Sequence, residues 1–319
     1  MKLSIIVPQY KEDEKTIRQL LNSIALQKQI DFNELEVIIV NDHSDYPPPS
    51  DIIKDYEFKI RIYRLRKNSG VGIARQYGTE KAKGEYLFYL DADDVLISCI
   101  ALRTIMNYKG NADIIRAKFF NENANKTDNG WTWVHSKFYR REFLKAKGLE
   151  FPKELRVNED AYFNMLAGAF ADKIEDSDEL VTFWAKNTKS TTRENASRFV
   201  VQGFDDFLKG KQLGFRVLKE KGKTELLMAN LIDLFVYCYY YFQTIEFYGG
   251  DTDVKYKQIQ YEKKIAEIVK EFWGEFSRFT ENDFDRKLSE LYMSFKDYVN
   301  YRMHETFDDY RARIYSYEI

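Results

Sequence analysis

The sequence predicts an α/β domain on a largely parallel sheet over about residues 1–194, followed by an all-helical region over about residues 195–319. Three observations carry that reading. Short apolar runs recur in the first half, interleaved with helical stripes, the pattern of βαβ units. Polar clusters stand where those runs stop. Near residue 190 the strand-like runs cease and only helical periodicity continues.

Taken in order, residues 3–7 (LSIIV) form an apolar run without alternation, as expected of a strand buried on both faces. Glu12, Asp13 and Glu14 then supply the acidic residues that suit a helix N-terminus, ahead of a 3.6-period stripe of Ile17, Leu20, Leu21 and Ile24. Leu35–Val40 is a second strand, ending at Asn41, and Ile60–Leu65 a third with more alternation. Gly72–Ala82 is expected to be helical, Tyr86–Leu90 a strand, Ile97–Asn107 helical and Asp113–Phe119 extended. Pro47, Pro48 and Pro49 make a stiff loop. In the second half, Val200, Phe204, Phe207 and Leu208 form one stripe, and Ile265, Ile268, Val269, Phe272 and Phe276 another. Phe284, Leu288, Leu291, Phe295 and Tyr298 step by four and three, the spacing of a helix-packing seam. Two heptads are too few for a coiled coil, so a helical bundle is expected. The seam must be buried against something, within the region or against a second copy, and a homo-oligomer is expected.

The 319 residues include 24 Phe and 23 Tyr, ample core volume for two domains. A net charge of −2 with interspersed signs excludes an electrostatic nucleic-acid binder. Cys99 and Cys238 are the two cysteines, and two buried, reduced thiols in helical surroundings are expected. Met1 and Lys2 lead directly into a strand-like run, so no signal peptide is expected. The most apolar stretch, Leu226–Tyr248, is interrupted by Asp233 and Glu246 and is expected to be a buried helix without a transmembrane role. A cytoplasmic protein follows, with peripheral membrane contact at most.

In a parallel sheet, ligands bind beyond the carboxyl ends of the strands. Three polar clusters sit there: Pro8-Gln9-Tyr10, Asn41-Asp42-His43-Ser44 and Asp91-Ala92-Asp93-Asp94. Three carboxylates in four residues repel one another unless a cation offsets them, and Mg²⁺ or Mn²⁺ prefers such oxygen ligands. An acidic triplet alone is more often a solvated turn; its place behind a buried strand favours the metal. Asp42 is equally an Asx turn or an acceptor for the N–H edge of a pyrimidine. Asn68-Ser69-Gly70-Val71-Gly72-Ile73-Ala74-Arg75 reads as a glycine turn entering a helix, without the third glycine of a dinucleotide fingerprint. It is either a plain loop or a phosphate-holding helix start. Glu159 and Asp160 open an apolar helix; by themselves they are caps, and the same geometry lets one carboxylate face a site.

The set IVPQYKEDEKTIRQLLNSI, VIIVNDHSD, NSGVGIARQYG and GEYLFYLDADD resembles family 2 glycosyltransferases of the GT-A fold, Rossmann-like with flanking helices. The run KFYRREFLKAKGLEFPKELRVNEDAYF and the later FWAKNTKSTTRE extend the likeness to roughly residues 1–194. The tail is similar in placement to helical regions that oligomerise or bind acceptor in some relatives, including wall teichoic acid glycosyltransferases. The resemblance implies that Pro8, Tyr10 and Glu12 form the first nucleotide-contacting loop and that Asp42 recognises uracil. It implies that Asn68 and Arg75 hold nucleotide and diphosphate, and that Asp91, Ala92 and Asp93 are the DxD segment, with Asp91 and Asp93 on ribose and metal. By the same likeness Asp160 is the catalytic base with Glu159 as its neighbour, Trp131 and Lys137 shape the sugar and acceptor pocket, and Arg193 lies on a phosphate-binding loop. Lys11, Asn41 and His43 depart from the family's usual Asn, acid and glycine. No QxxRW-type motif of processive synthases is present, which implies single additions.

The implied reaction is an inverting, Mn²⁺- or Mg²⁺-dependent transfer from a nucleotide-sugar, a UDP-sugar by Asp42, to a hydroxyl of a cell-surface glycan or polyol-phosphate acceptor. Two rivals stand beside it. A nucleotidyltransferase shares the carboxylate-bound metal but needs a lysine- and glycine-rich triphosphate loop that does not follow the first strand. A non-catalytic sugar-nucleotide-binding scaffold would not need the carboxylates at Asp91, Asp93 and Asp160.

Overall fold

Apolar runs without alternation become the centre of a sheet. In the computed structural model, which describes residues 1–48, 50–122, 125–185, 196–245, 252–299 and 305–317, every residue of β1 (Leu3–Gln9) and β2 (Leu35–Asn41) is buried. They pair in parallel from Leu3 with Leu35 to Gln9 with Asn41. Between them α1 (Glu14–Ala25) starts where the Asp13 carboxylate accepts from the Thr16 N–H at 2.8 Å, and it buries the expected Ile17, Leu20, Leu21 and Ile24. β3 (Lys59–Arg64) adds to β2, and β4 (Tyr86–Tyr89) to the other side of β1, both parallel. α2 (Val71–Lys81) precedes β4 and lies close on the sheet, because a Cβ at Gly78 would stand 2.4 Å from Ile6 Cγ2.

Beyond β4 the sheet turns mixed. The remaining strands are β5 (Val95–Leu96), β6 (Ile114–Asn121), β7 (Lys126–Asp128), β8 (Lys137–Arg140) and β9 (Ile174–Trp184), and the order is β3-β2-β1-β4-β8-β6-β9-β5 with β7 on β6. β8 runs antiparallel to β4 and β6, while β6 and β9 are parallel. Short α3 (Arg103–Asn107) and α4 (Arg141–Lys147), then α5 (Glu159–Phe170), complete this part. The helix expected over 97–107 is reduced to α3. The Ile97 N–H donates to Val181 O at 2.9 Å and the Leu102 N–H to Gln27 Oε1 at 3.0 Å, so that backbone is committed to β9 and to the loop just after α1. β8 and β9 are not marked by the sequence pattern. β9 hides because Asp176 and Asp178 stand on it paired with Arg116 and Lys118 of β6, at 2.6 and 2.7 Å, instead of alternating cleanly with apolar residues.

The chain divides into two compact units, Met1–Ser190 and Thr191–Ile319. The described part of the second is helical: α6 (Ala196–Glu220), α7 (Thr224–Ile245), α8 (Thr252–Glu271), α9 (Trp273–Phe276), α10 (Glu281–Val299) and α11 (Phe307–Tyr315). α7 is its core. Phe235 is buried, with ring centres of Phe276 and Tyr310 at 5.0 and 5.1 Å. The expected seam packs here: Phe284 is buried, and the Phe295 ring lies 5.4 Å from both Tyr237 and Tyr240 of α7. Among the described residues no helix is long and apolar enough to cross a membrane. Cys238 is buried as expected; Cys99 is exposed, in the non-helical stretch before α3.

Candidate active site

The strands β1, β2 and β4 end on one edge, and the acidic loops follow from them. Gln9, the last residue of β1, is fixed by Asn41 Nδ2, which donates to its Oε1, and it donates in turn to Glu12 O at 2.9 Å and Tyr46 O at 3.0 Å. Pro8 is buried within β1. Tyr10 is exposed, its N–H donating to the Glu12 carboxylate at 2.8 Å. Burial raises the Glu12 carboxyl above its ordinary range, and the charges of Asp93 and Asp91 push the same way. The first loop therefore faces the acids after β4.

Asp42 is buried, and its two carboxylate oxygens accept from the Ser69 and Gly70 N–H groups, each at 2.7 Å. The acid thus ties the end of β2 to the start of α2. Gly70 has φ +96°, a conformation that costs a side chain dearly. His43 has φ +60°, a conformation that glycine adopts more readily; its Nδ1 lies 3.1 Å from Leu65 O. Asn68 accepts from Arg156 Nη1 at 2.8 Å.

Arg75 lies inside α2, 3% exposed. Its Nη1 donates to Glu159 at 2.5 Å and its Nη2 to Asp91 at 2.6 Å. Burial opposes the Asp91 charge, but Arg75 outweighs it and holds that carboxyl below its ordinary range. Glu159 opens α5, buried; desolvation and then the Asp160 charge push it up to about 7. Asp160 accepts from the Ala161 N–H at 2.8 Å and is also raised, chiefly by burial. A Cβ at Gly72 would lie 2.7 Å from Glu159 Cγ, so this glycine lets α5 approach α2.

Ala92 is buried under the acidic turn, which the Asp94 N–H closes on Asp91 O at 3.0 Å. Among the described residues one group offers metal-ligand atoms within 4.8 Å of one another: Asp91, Asp94 and His135. Asp93, an expected ligand, is not in that group. His135 Nδ1 lies 3.5 Å from Asp94 Oδ2, and its ring centre 4.6 Å from that of Trp184. Burial lowers the imidazole to about 4, so at neutral pH it keeps a lone pair to donate. Two carboxylates and a neutral imidazole fit a Mn²⁺-type ion. Asp94 belongs to the acidic triplet that the sequence marks, but no spacing in the sequence singled out His135.

Lys137 is fully buried and donates to Gly130 O at 2.7 Å and Trp133 O at 2.6 Å; burial lowers its ammonium to about 7. The Trp131 ring centre lies 4.9 Å from the Arg116 guanidinium and 5.9 Å from Lys137 Nζ. Glu12, Asp91, Asp93, Arg75, Glu159 and Asp160 therefore form one charged cluster, with Asp42 and Asn68 bordering the loop into α2. Arg193 lies outside the described residues.

The Glycosyl transferase family 2 profile matches residues 4–163, half of the chain. The chain is 36% identical over 122 residues to a poly(ribitol-phosphate) beta-N-acetylglucosaminyltransferase, TarP, of Staphylococcus aureus strain N315, covering 37% of this chain and 36% of that protein. It is 31% identical over 223 residues to the S. aureus strain Mu50 enzyme of the same description, TarS, covering 63% of this chain and 38% of that protein. The matches thus span little more than a third of these relatives' length. A crystal structure of S. aureus TarS 1–349 superposes with a TM-score of 0.65 at 22% identity, covering 96% of this chain and 93% of that one, and shows the shared GT-A-like fold. The same TarS fragment has been solved with UDP-GlcNAc. With strand-end acids, fold and profile in agreement, the chain belongs to glycosyl transferase family 2.

Proposed function

We propose that the chain is an inverting, metal-dependent glycosyltransferase that moves a sugar from a UDP-sugar to a hydroxyl of a polyol-phosphate or related cell-surface polymer. The observation that carries this reading is the convergence of Asp91, Glu159 and Asp160 around Arg75 at the carboxyl edge of the sheet, with Asp93 acting on Glu12 of the first loop. The names of TarP and TarS support the polymer, and the TarS complex with UDP-GlcNAc supports the donor.

In this reading Asp160 takes the proton from the acceptor hydroxyl. The freed oxygen forms a bond to the anomeric carbon while the bond to the UDP oxygen breaks on the opposite face, its electron pair leaving with the diphosphate. One displacement inverts the configuration. Asp91, Asp94 and His135, with Asp93 beside them, would hold a divalent ion, which when bound neutralises charge on the leaving diphosphate. Tyr10 and the Asp42-held loop border the nucleotide, and Trp131 on its Lys137 support borders the sugar and acceptor. The first 194 residues carry the reaction, and the helical tail binds acceptor or pairs copies. Incubation with UDP-GlcNAc or UDP-glucose, Mn²⁺ and poly(ribitol phosphate) tests this: label in the polymer with release of UDP is expected. A folded chain that neither binds UDP nor modifies any such polymer sinks the reading.

A further inference from the structure

The strand-end acids come from two distant stretches of chain, and one side chain joins them. We propose that Arg75 is a positioning residue that locks the donor-side acid Asp91 to the base-bearing start of α5, and is not a ligand of the donor diphosphate. The inference rests on the glycosyltransferase reading above.

A phosphate-binding arginine must present N–H groups to the cleft. Arg75 is buried, and both terminal nitrogens already donate to carboxylates, at 2.5 and 2.6 Å. The guanidinium is flat and its N–H directions are fixed, so the two bonds set the spacing between the end of β4 and the first turn of α5. Two further contacts make that spacing rigid. Gly72, one turn earlier on α2, leaves no gap between this helix and Glu159. The Phe151 ring lies beside the guanidinium, its centre 5.9 Å away, and stacks on Phe163 of α5 with ring centres 4.1 Å apart. Asp160 follows Glu159 on the same turn, so a shift of Glu159 moves the base. The charge account agrees: Asp91, Glu159 and Asp160 are all attracted to this one cation.

Arg75→Ala would leave buried carboxylates uncompensated and fail to fold for that reason alone. Arg75→Lys and Glu159→Gln are the useful variants: the first keeps the charge but loses the fork, the second keeps the shape but loses the anion. Each is expected to lower kcat by about 10²-fold through misplacement of Asp160; Glu159→Gln, which leaves the Arg75–Asp91 bond in place, is expected to keep UDP affinity in Mn²⁺ unchanged by calorimetry. The double variant is expected to fall no further than the worse single, because both cut one bridge. Arg75→Lys that weakens UDP binding while kcat holds, or single losses that multiply in the double, overturns the assignment. If Arg75→Lys does not fold, Glu159→Gln decides alone: a lost kcat with intact UDP binding supports the bridge, and a normal kcat overturns it. A wild-type chain without transfer sinks the function reading and the bridge together; an active wild type with either contrary result sinks only the bridge.

Discussion

Asp160 is the residue on which the proposed chemistry turns. Asp160→Asn keeps size and shape and removes the base, so transfer is expected to fall by about 10²–10⁴-fold with donor affinity little changed. A helix cap alone predicts retained transfer and a stability loss of about 1 kcal/mol, so rate, affinity and melting temperature on one mutant decide between them. Because burial raises the carboxyl, its protonated form persists to higher pH than in a free aspartate near pKa ~3.9. Transfer needs the ionised form, so the acidic limb of the kcat–pH profile is expected above pH ~4; a limb at or below that value contradicts a buried base. For the metal, His135→Ala and Asp93→Ala are expected to reduce the gain that Mn²⁺ gives to UDP binding. Equal UDP binding in EDTA by the native chain removes the assignment. The carboxylates were legible because acids crowd at the ends of apolar strands, where they are too costly without a purpose. His135 was not: a single histidine carries no spacing signal, and its partner Asp94 comes from a different strand end. Arg75 was legible as a residue but not in its role, since the role exists only once Gly72 has let α5 come close.

Elements packed this closely tolerate little. Gly78→Ala gains helix propensity of about 1 kcal/mol but places a methyl 2.4 Å from Ile6 Cγ2 in the buried β1. Overpacking of about 1–3 kcal/mol outweighs that gain, so a lower melting temperature is expected; an unchanged or higher one shows that α2 can lift from the sheet. The parallel strands could be read because burial on both faces leaves a bare apolar run. β9 could not, since exposed Asp176 and Asp178, paired across the sheet with Arg116 and Lys118, break up its apolar run. The stretch after Leu96 looked helical by periodicity, yet its backbone N–H groups at Ile97 and Leu102 were claimed by Val181 and Gln27. The α10 seam was visible as periodicity; that α7 covers it was not, because periodicity names a face and not its partner.

At the scale of the whole molecule, two cores have formed, one in each compact unit. Phe235→Ala empties the centre of the helical unit at an expected cost of about 3–5 kcal/mol. Calorimetry should show a transition that moves down while another stays; a single transition that moves as one means the units melt together. Light scattering on the same samples reports whether the tail pairs copies. The place of β5 has a consequence in time. This two-residue strand follows the acidic turn directly, yet its sheet partner is β9, with Val95 opposite Phe183 and Leu96 opposite Thr182. The Asp94 carboxylate is likewise held by the Ala185 N–H, at 3.0 Å. A ribosome that has delivered the chain through Asp94 has therefore made the acidic turn but not the clasp behind it. The nascent chain acquires a set DxD turn only after the residues of β9 emerge, a long loop closure later than the parallel strands require. Pulse-labelled exchange during refolding should find the amide of Ile97, which donates to Val181 O of β9, protected after those of β1 and β2, so that a turn synthesised early is late to become competent.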